Sequence, residues 1–133
     1  MLLPPMHVLV AEDNRINQVV IQNVLRNAGV SFEIVNNGHE ALQAAMTHSF
    51  DIILMDCQMP EMDGFESTNL IRKWEQEHNR PHIPIIALTA DSVLGSKQKC
   101  LDAGMDAYCS KPVKSQALLQ TIEHWYQWSK TEE

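Results

Sequence analysis

The chain has few of the residues that mark several large protein classes. Among its 133 residues are three cysteines, Cys57, Cys100 and Cys109, and no two stand close together. That spacing argues against a disulfide frame or a zinc site and leaves small core thiols suited to a reducing compartment. Basic residues are scarce: Lys and Arg total 10 against 17 Asp and Glu, for a net charge of -7 with neutral histidines. No basic patch supplies the electrostatic footprint of nucleic-acid binding. No apolar run approaches the roughly 20 residues needed to cross a bilayer. The opening MLLPPMHVLV lacks a basic leader and is broken by Pro4-Pro5, so it does not read as a signal peptide. A cytoplasmic domain with no membrane contact of its own is expected. No linker, repeat or low-complexity tract divides the chain. The expectation is one domain over 1–133, with a core of about 6–128 and short flexible termini.

What is present is alternation. Short β-rich runs, HVLVA (7–11), FEIV (32–35), DIILM (51–55), PIIAL (84–88) and DAYCS (106–110), are separated by longer segments with helical spacing. From 14 to 28, Ile16, Val19, Val20, Val24 and Leu25 follow a 3.6-residue period, and Gly29 can close that helix. Helices are also expected over about 38–48, after Asp63, over 92–102 and after Pro112. Asn37 with Glu40, and Asp63 with Glu66, have the spacing of capping boxes. Five strand-then-helix units predict a doubly wound α/β fold, a five-stranded parallel sheet between two helical layers. The expected strand order is the flavodoxin-like 2-1-3-4-5.

Parallel strands end along one edge, where ligands of open α/β sheets bind. Four of the five runs end in a reactive type: Glu12-Asp13, Asp56, Thr89 and Lys111. The expected order sets these four runs side by side. Three carboxylates together repel one another unless a divalent cation sits among them, and an all-oxygen set suits Mg²⁺. A lysine and a hydroxyl nearby can hold phosphoryl oxygens. Asp56, on the middle strand, is the best placed to attack phosphorus and become an aspartyl-phosphate. Taken singly, each residue has a plainer role. Glu12 and Asp13 could cap the first helix, Asp56 could start a turn before Pro60, Thr89 is a β-favouring residue and Lys111 a surface lysine.

The stretches AEDN (11–14), NNGHEAL (36–42), ILMDCQMPEMDGFE (53–66), PIIALTA (84–90) and AGMDAYCSKP (103–112) together resemble the receiver domain of response regulators in two-component signalling. The wording is most like receivers attached to hybrid sensor histidine kinases. The resemblance implies Asp56 as phosphoacceptor, Glu12 and Asp13 as the acidic pair holding Mg²⁺, and the backbone carbonyl of Gln58 as a further metal ligand. Mn²⁺ would be able to substitute. It implies Thr89 as the switch hydroxyl, Lys111 as the phosphate-pairing lysine, a cis Lys111-Pro112 peptide bond, and Tyr108 as the aromatic that moves on activation. Gln58 and Asp91 occupy places that tune the phosphoryl lifetime. Glu12 departs from the aspartate many members carry, which puts metal affinity in question. Implied partners are a histidine kinase or a histidine phosphotransfer domain, with dimerisation on phosphorylation, and the output is remodelling of the face made by the fourth helix, fifth strand and fifth helix.

Three rivals share parts of this pattern. A pseudo-receiver would keep the fold as an interaction module but drop the chemistry, yet the aspartate and lysine are present. A phosphatase of the haloacid-dehalogenase type needs a second aspartate two residues after the nucleophile, where Gln58 stands. A flavin-carrying electron carrier would need a hydroxyl-rich phosphate loop after the first strand. Neither a kinase core nor an output module is expected within these residues, so catalysis would be limited to the domain's own phosphotransfer and slow hydrolysis.

Overall fold

The computed structural model describes residues 2–90 and 94–131, and the side chains of these except 94–96. Asp91 lies outside the described residues. The chain alternates β1 (His7–Ala11), α1 (Arg15–Asn27), β2 (Ser31–Val35), α2 (Gly38–Thr47), β3 (Ile52–Asp56), α3 (Gly64–Glu77), β4 (Ile85–Thr89), α4 (Leu94–Ala103), β5 (Ala107–Ser110) and α5 (Ser115–Thr131). The five strands form one parallel sheet in the order β2-β1-β3-β4-β5.

The pleat explains how one apolar run serves two layers. Successive strand side chains point to opposite faces. Val8, Val10, Ile52, Leu54, Ile86 and Leu88 face one core, shared with Ile21 and Leu25 of α1 and Leu118 and Ile122 of α5. Leu9, Ala11, Ile53, Met55, Ile85 and Ala87 face the other, shared with Ala41 and Ala45 of α2, Ile71 of α3 and Cys100 of α4. β3 and β4 are buried along their whole length. That is why they read as unbroken apolar runs.

Caps set where the helices begin. The side chain of Asn37 accepts from Glu40 N at 2.8 Å, and that of Asp63 from Glu66 N at 2.9 Å. Glu40 departs from the box, since its carboxylate accepts from Asn36 N at 2.9 Å, one residue before the cap. The first helix is capped by Asn14, whose side chain accepts from Asn17 N at 3.0 Å. Glu12 and Asp13 are thereby released from the capping role.

The stripe expected on α1 divides. The buried face is Gln18, Ile21 and Leu25, one turn apart each. Ile16 is 74% exposed, and Val19 and Val20 are 39% exposed. Among the described residues, no helix is long and apolar enough to cross a membrane.

Candidate functional site

The carboxyl ends of β1, β3, β4 and β5 border one cavity of about 390 Å³, lined among others by Glu12, Asp13, Asp56, Gln58, Thr89 and Lys111. Register brings the ends level. Asp56 pairs with Leu88, and Thr89 with Ser110, the last residue before Lys111. The backbone continues the ladder past the strands: Cys57 N donates to Leu88 O at 3.1 Å and Lys111 N to Thr89 O at 2.8 Å. The Lys111-Pro112 peptide bond is cis.

Asp56 ends a fully buried strand on a charge. It is 4% exposed, its Oδ2 accepts from Lys111 Nζ at 2.8 Å, and its Oδ1 accepts from Gln58 N at 3.2 Å. The strand delivers a carboxylate to a prepared cation. Gly64 holds the approach from the other side, donating its N–H to Cys57 O at 3.1 Å. A Cβ on Gly64 would lie 2.1 Å from Asp56 O, so only glycine fits where α3 starts against the end of β3.

Glu12 is fully buried. Its Oε2 accepts from Asn14 N at 3.1 Å. Its Oε1 pairs with Lys111 Nζ at 2.9 Å. Burial, then the adjacent Asp56 carboxylate, pushes Glu12 up to about 7, with Lys111 and Asn14 pulling the other way. Burial alone would lower the Lys111 ammonium, but its contacts with Asp56 and Glu12 outweigh that and raise it. Glu12, Asp13 and Asp56 each offer one oxygen, all within 4.8 Å of one another. Three convergent carboxylates with a single ammonium beside them are a hard-oxygen set that fits a small divalent cation.

Thr89 is buried at the end of β4 and lines the same cavity. Tyr108 is half-buried on β5, away from that cavity. With Lys97, Leu101 and Trp125 it lines a groove of about 400 Å³ between α4 and α5, with Lys97 Nζ 5.7 Å from its ring centroid. The sequence reading missed Gln18. This buried amide donates to Glu12 O at 2.6 Å and to Asn36 Oδ1 at 2.9 Å, fixing the acidic turn against the start of α2. Its signal was a polar residue on the face shared with Ile21 and Leu25.

The family model of the response regulator receiver domain matches residues 8–123. The sensor histidine kinase GacS of Pseudomonas protegens is 42% identical over 118 residues, 89% of this chain and 13% of that protein. Hybrid signal transduction histidine kinase B of Dictyostelium discoideum is 42% identical over 125 residues, 87% of this chain and 6% of that protein. The chain thus spans a small fraction of the relatives it matches. Among solved structures, the receiver domain of a sensor histidine kinase from Pseudomonas aeruginosa, with magnesium coordinated in its active-site cleft, superposes with a TM-score of 0.84. Identity there is 38%, covering 93% of this chain and 99% of that one. The receiver domain of a Saccharomyces cerevisiae response regulator, crystallised with a histidine phosphotransfer protein, superposes at 0.90 with 32% identity, covering 96% of this chain and 92% of that one. The chain belongs to the response regulator receiver domains of two-component signalling.

Proposed function

We propose that Asp56 is the phosphoacceptor of a signalling switch, taking its phosphoryl group from a phosphohistidine on a partner protein. The observation that carries this reading is the single cavity in which a lysine-paired, buried Asp56 meets Glu12, Asp13 and Thr89. In the transfer, one carboxylate oxygen of Asp56 bonds to phosphorus as the donor's P–N bond breaks, and the electron pair stays on the leaving imidazole nitrogen. Glu12, Asp13, Asp56 and the Gln58 carbonyl would hold Mg²⁺ or Mn²⁺. A bound divalent cation supplies neutralisation of the phosphoryl oxygens. Lys111 Nζ already lies against Asp56 and would follow a phosphoryl oxygen, and the Thr89 hydroxyl would donate to another.

The backbone bond from Lys111 to Thr89 couples the ends of β4 and β5, so movement of one carries the other. Tyr108, three residues before Lys111, would change rotamer within its groove and so alter the face of α4, β5 and α5.

The partner's docking face is α1. Asn14 and Asn17 border the cavity, and the exposed Ile16, Val19 and Val20 follow on the same helix. Exposed apolar residues beside a reactive carboxylate suit a protein donor that must bring its imidazole to Asp56. Residues 6–128 act as one unit. The free thiols Cys57, Cys100 and Cys109 suit the reducing cytoplasm. Asp56, Thr89 and Lys111 around one cavity speak against a phosphate-free interaction module.

The test is incubation with acetyl phosphate, with and without Mg²⁺, read by intact mass. One added phosphoryl group, requiring Mg²⁺ and absent from Asp56→Asn, supports the reading. No added mass in the wild-type protein overturns it.

A further inference from the structure

We infer that Lys99 is a second phosphoryl-binding cation, reaching the charged site from α4. The inference rests on the phosphoacceptor reading of Asp56. Lys99 and Phe65 both line the cavity that holds Asp56, and Lys99 Nζ lies 4.6 Å from the Phe65 ring centroid. Among the described residues Lys99 forms no ion pair with a carboxylate, and its ammonium rests on that ring. A cation over an aromatic face is held weakly, by about 0.5–1 kcal/mol at exposed sites, and is free to leave for a stronger anion.

The charges of the site call for such a group. Three carboxylates, Glu12, Asp13 and Asp56, stand against the one ammonium of Lys111, an excess of two negative charges that one divalent cation cancels. Turning the Asp56 carboxylate into an acyl phosphate adds about one further negative charge. The charge of Lys111 is already counted in that balance. Lys99 supplies the missing positive charge once the phosphoryl group is present, and gains little from the site before then.

Its place in the chain also fixes what the contact would move. The neighbouring Cys100 is buried, its Sγ 3.8 Å from the Sγ of Cys57, the residue after Asp56. That contact seats α4 against the acceptor strand and leaves Lys99 at the cavity mouth. A Lys99–phosphoryl bond therefore pulls directly on α4, beside whatever Thr89 transmits through β4.

The test uses beryllium trifluoride as the phosphoryl probe, titrated calorimetrically into the Mg²⁺-saturated chain. Wild type, Lys99→Gln and Lys99→Arg are compared, with Asp56→Asn as the control that takes up none. Lys99→Gln is expected to bind the probe on the order of tenfold more weakly, as loss of a charge-assisted contact at a partly open site. Lys99→Arg restores binding to near wild type, and added salt narrows the gap. Mg²⁺ affinity without the probe should be unchanged or tighter in Lys99→Gln, an outcome that loss of structure would not give. Equal probe affinity in wild type and Lys99→Gln overturns the inference and leaves the phosphoacceptor reading standing. So does an equal weakening of Mg²⁺ and probe. A Mg²⁺-binding wild type that takes up no probe overturns both.

Discussion

Lys111 Nζ stands 2.8 Å from Asp56 Oδ2 across 55 residues of sequence, and 2.9 Å from Glu12 Oε1. One ammonium therefore serves two buried carboxylates. Removing it leaves them facing each other, and breaking a buried pair of this kind costs about 3 kcal/mol. Lys111→Met should lose about that much stability at pH 8 without divalent cations, measured by urea denaturation. The deficit should shrink at pH 6, where Glu12 holds a proton. A deficit independent of pH would assign the lysine to packing.

Glu12 gives a pH dependence of its own. Its folded-state value of about 7 lies above the 4.5 of an unperturbed glutamate. Between these values the folded protein holds a proton that the unfolded chain releases. Its contribution to stability is therefore full below pH 4.5 and is lost as pH rises to 7. In chelator, the stability of wild type relative to Glu12→Gln should fall across pH 4.5–7 and level off above. Saturating Mg²⁺ should abolish the fall, because the carboxylate is the form that binds metal. A flat difference in chelator contradicts the assignment.

Gly64 tests how tightly α3 is fitted to β3. An added methyl would sit 2.1 Å from Asp56 O and 3.0 Å from Met55 Cγ, and the backbone atom has no room to give. Gly64→Ala should cost about 2–3 kcal/mol of unfolding free energy, against the stabilisation of under about 1 kcal/mol that alanine normally brings to a helix. A neutral or stabilising result would place the start of α3 elsewhere.

The sheet was legible because its physics is local. Two-sided burial makes β3 and β4 continuous apolar runs, and the order of units dictates crossovers and strand neighbours. The reactive strand ends were legible for the same reason, since topology alone puts them on one edge. Boundaries slipped by a residue: β3 closes on Asp56 and β4 on Thr89, because ladder pairing continues one step beyond the apolar run. The period gave the helix α1 but not its buried face, because exposed valines and isoleucine fit a helical period as well as buried ones do. Only the sheet decides that Gln18 goes in and Ile16 goes out. The Arg72 network was out of reach altogether. Its guanidinium donates to Glu75, Asp106 and the carbonyls of Ile83 and Gly104, joining residues up to 34 apart that no periodicity links.

The exposed stripe yields a prediction about the partner. Ile16→Ser with Val20→Ser removes apolar surface that supports no core, so the unfolding midpoint should be unchanged. Transfer from a phosphohistidine protein should slow on the order of tenfold, the loss typical of an interface anchor. Labelling by acetyl phosphate, which needs no docking, should be unaffected. Equal slowing with both donors would move the defect from docking to the acceptor site.

If Asp56 is the phosphoacceptor, the phosphoryl group can be located on its carboxylate. The chain is phosphorylated by a histidine-phosphorylated donor in Mg²⁺, reduced with borohydride so that an acyl phosphate becomes a stable alcohol, and mapped by peptide mass. Conversion at Asp56 alone is the predicted result. A phosphoryl group found on a histidine or on any other carboxylate, with Asp56 unmodified, would contradict it.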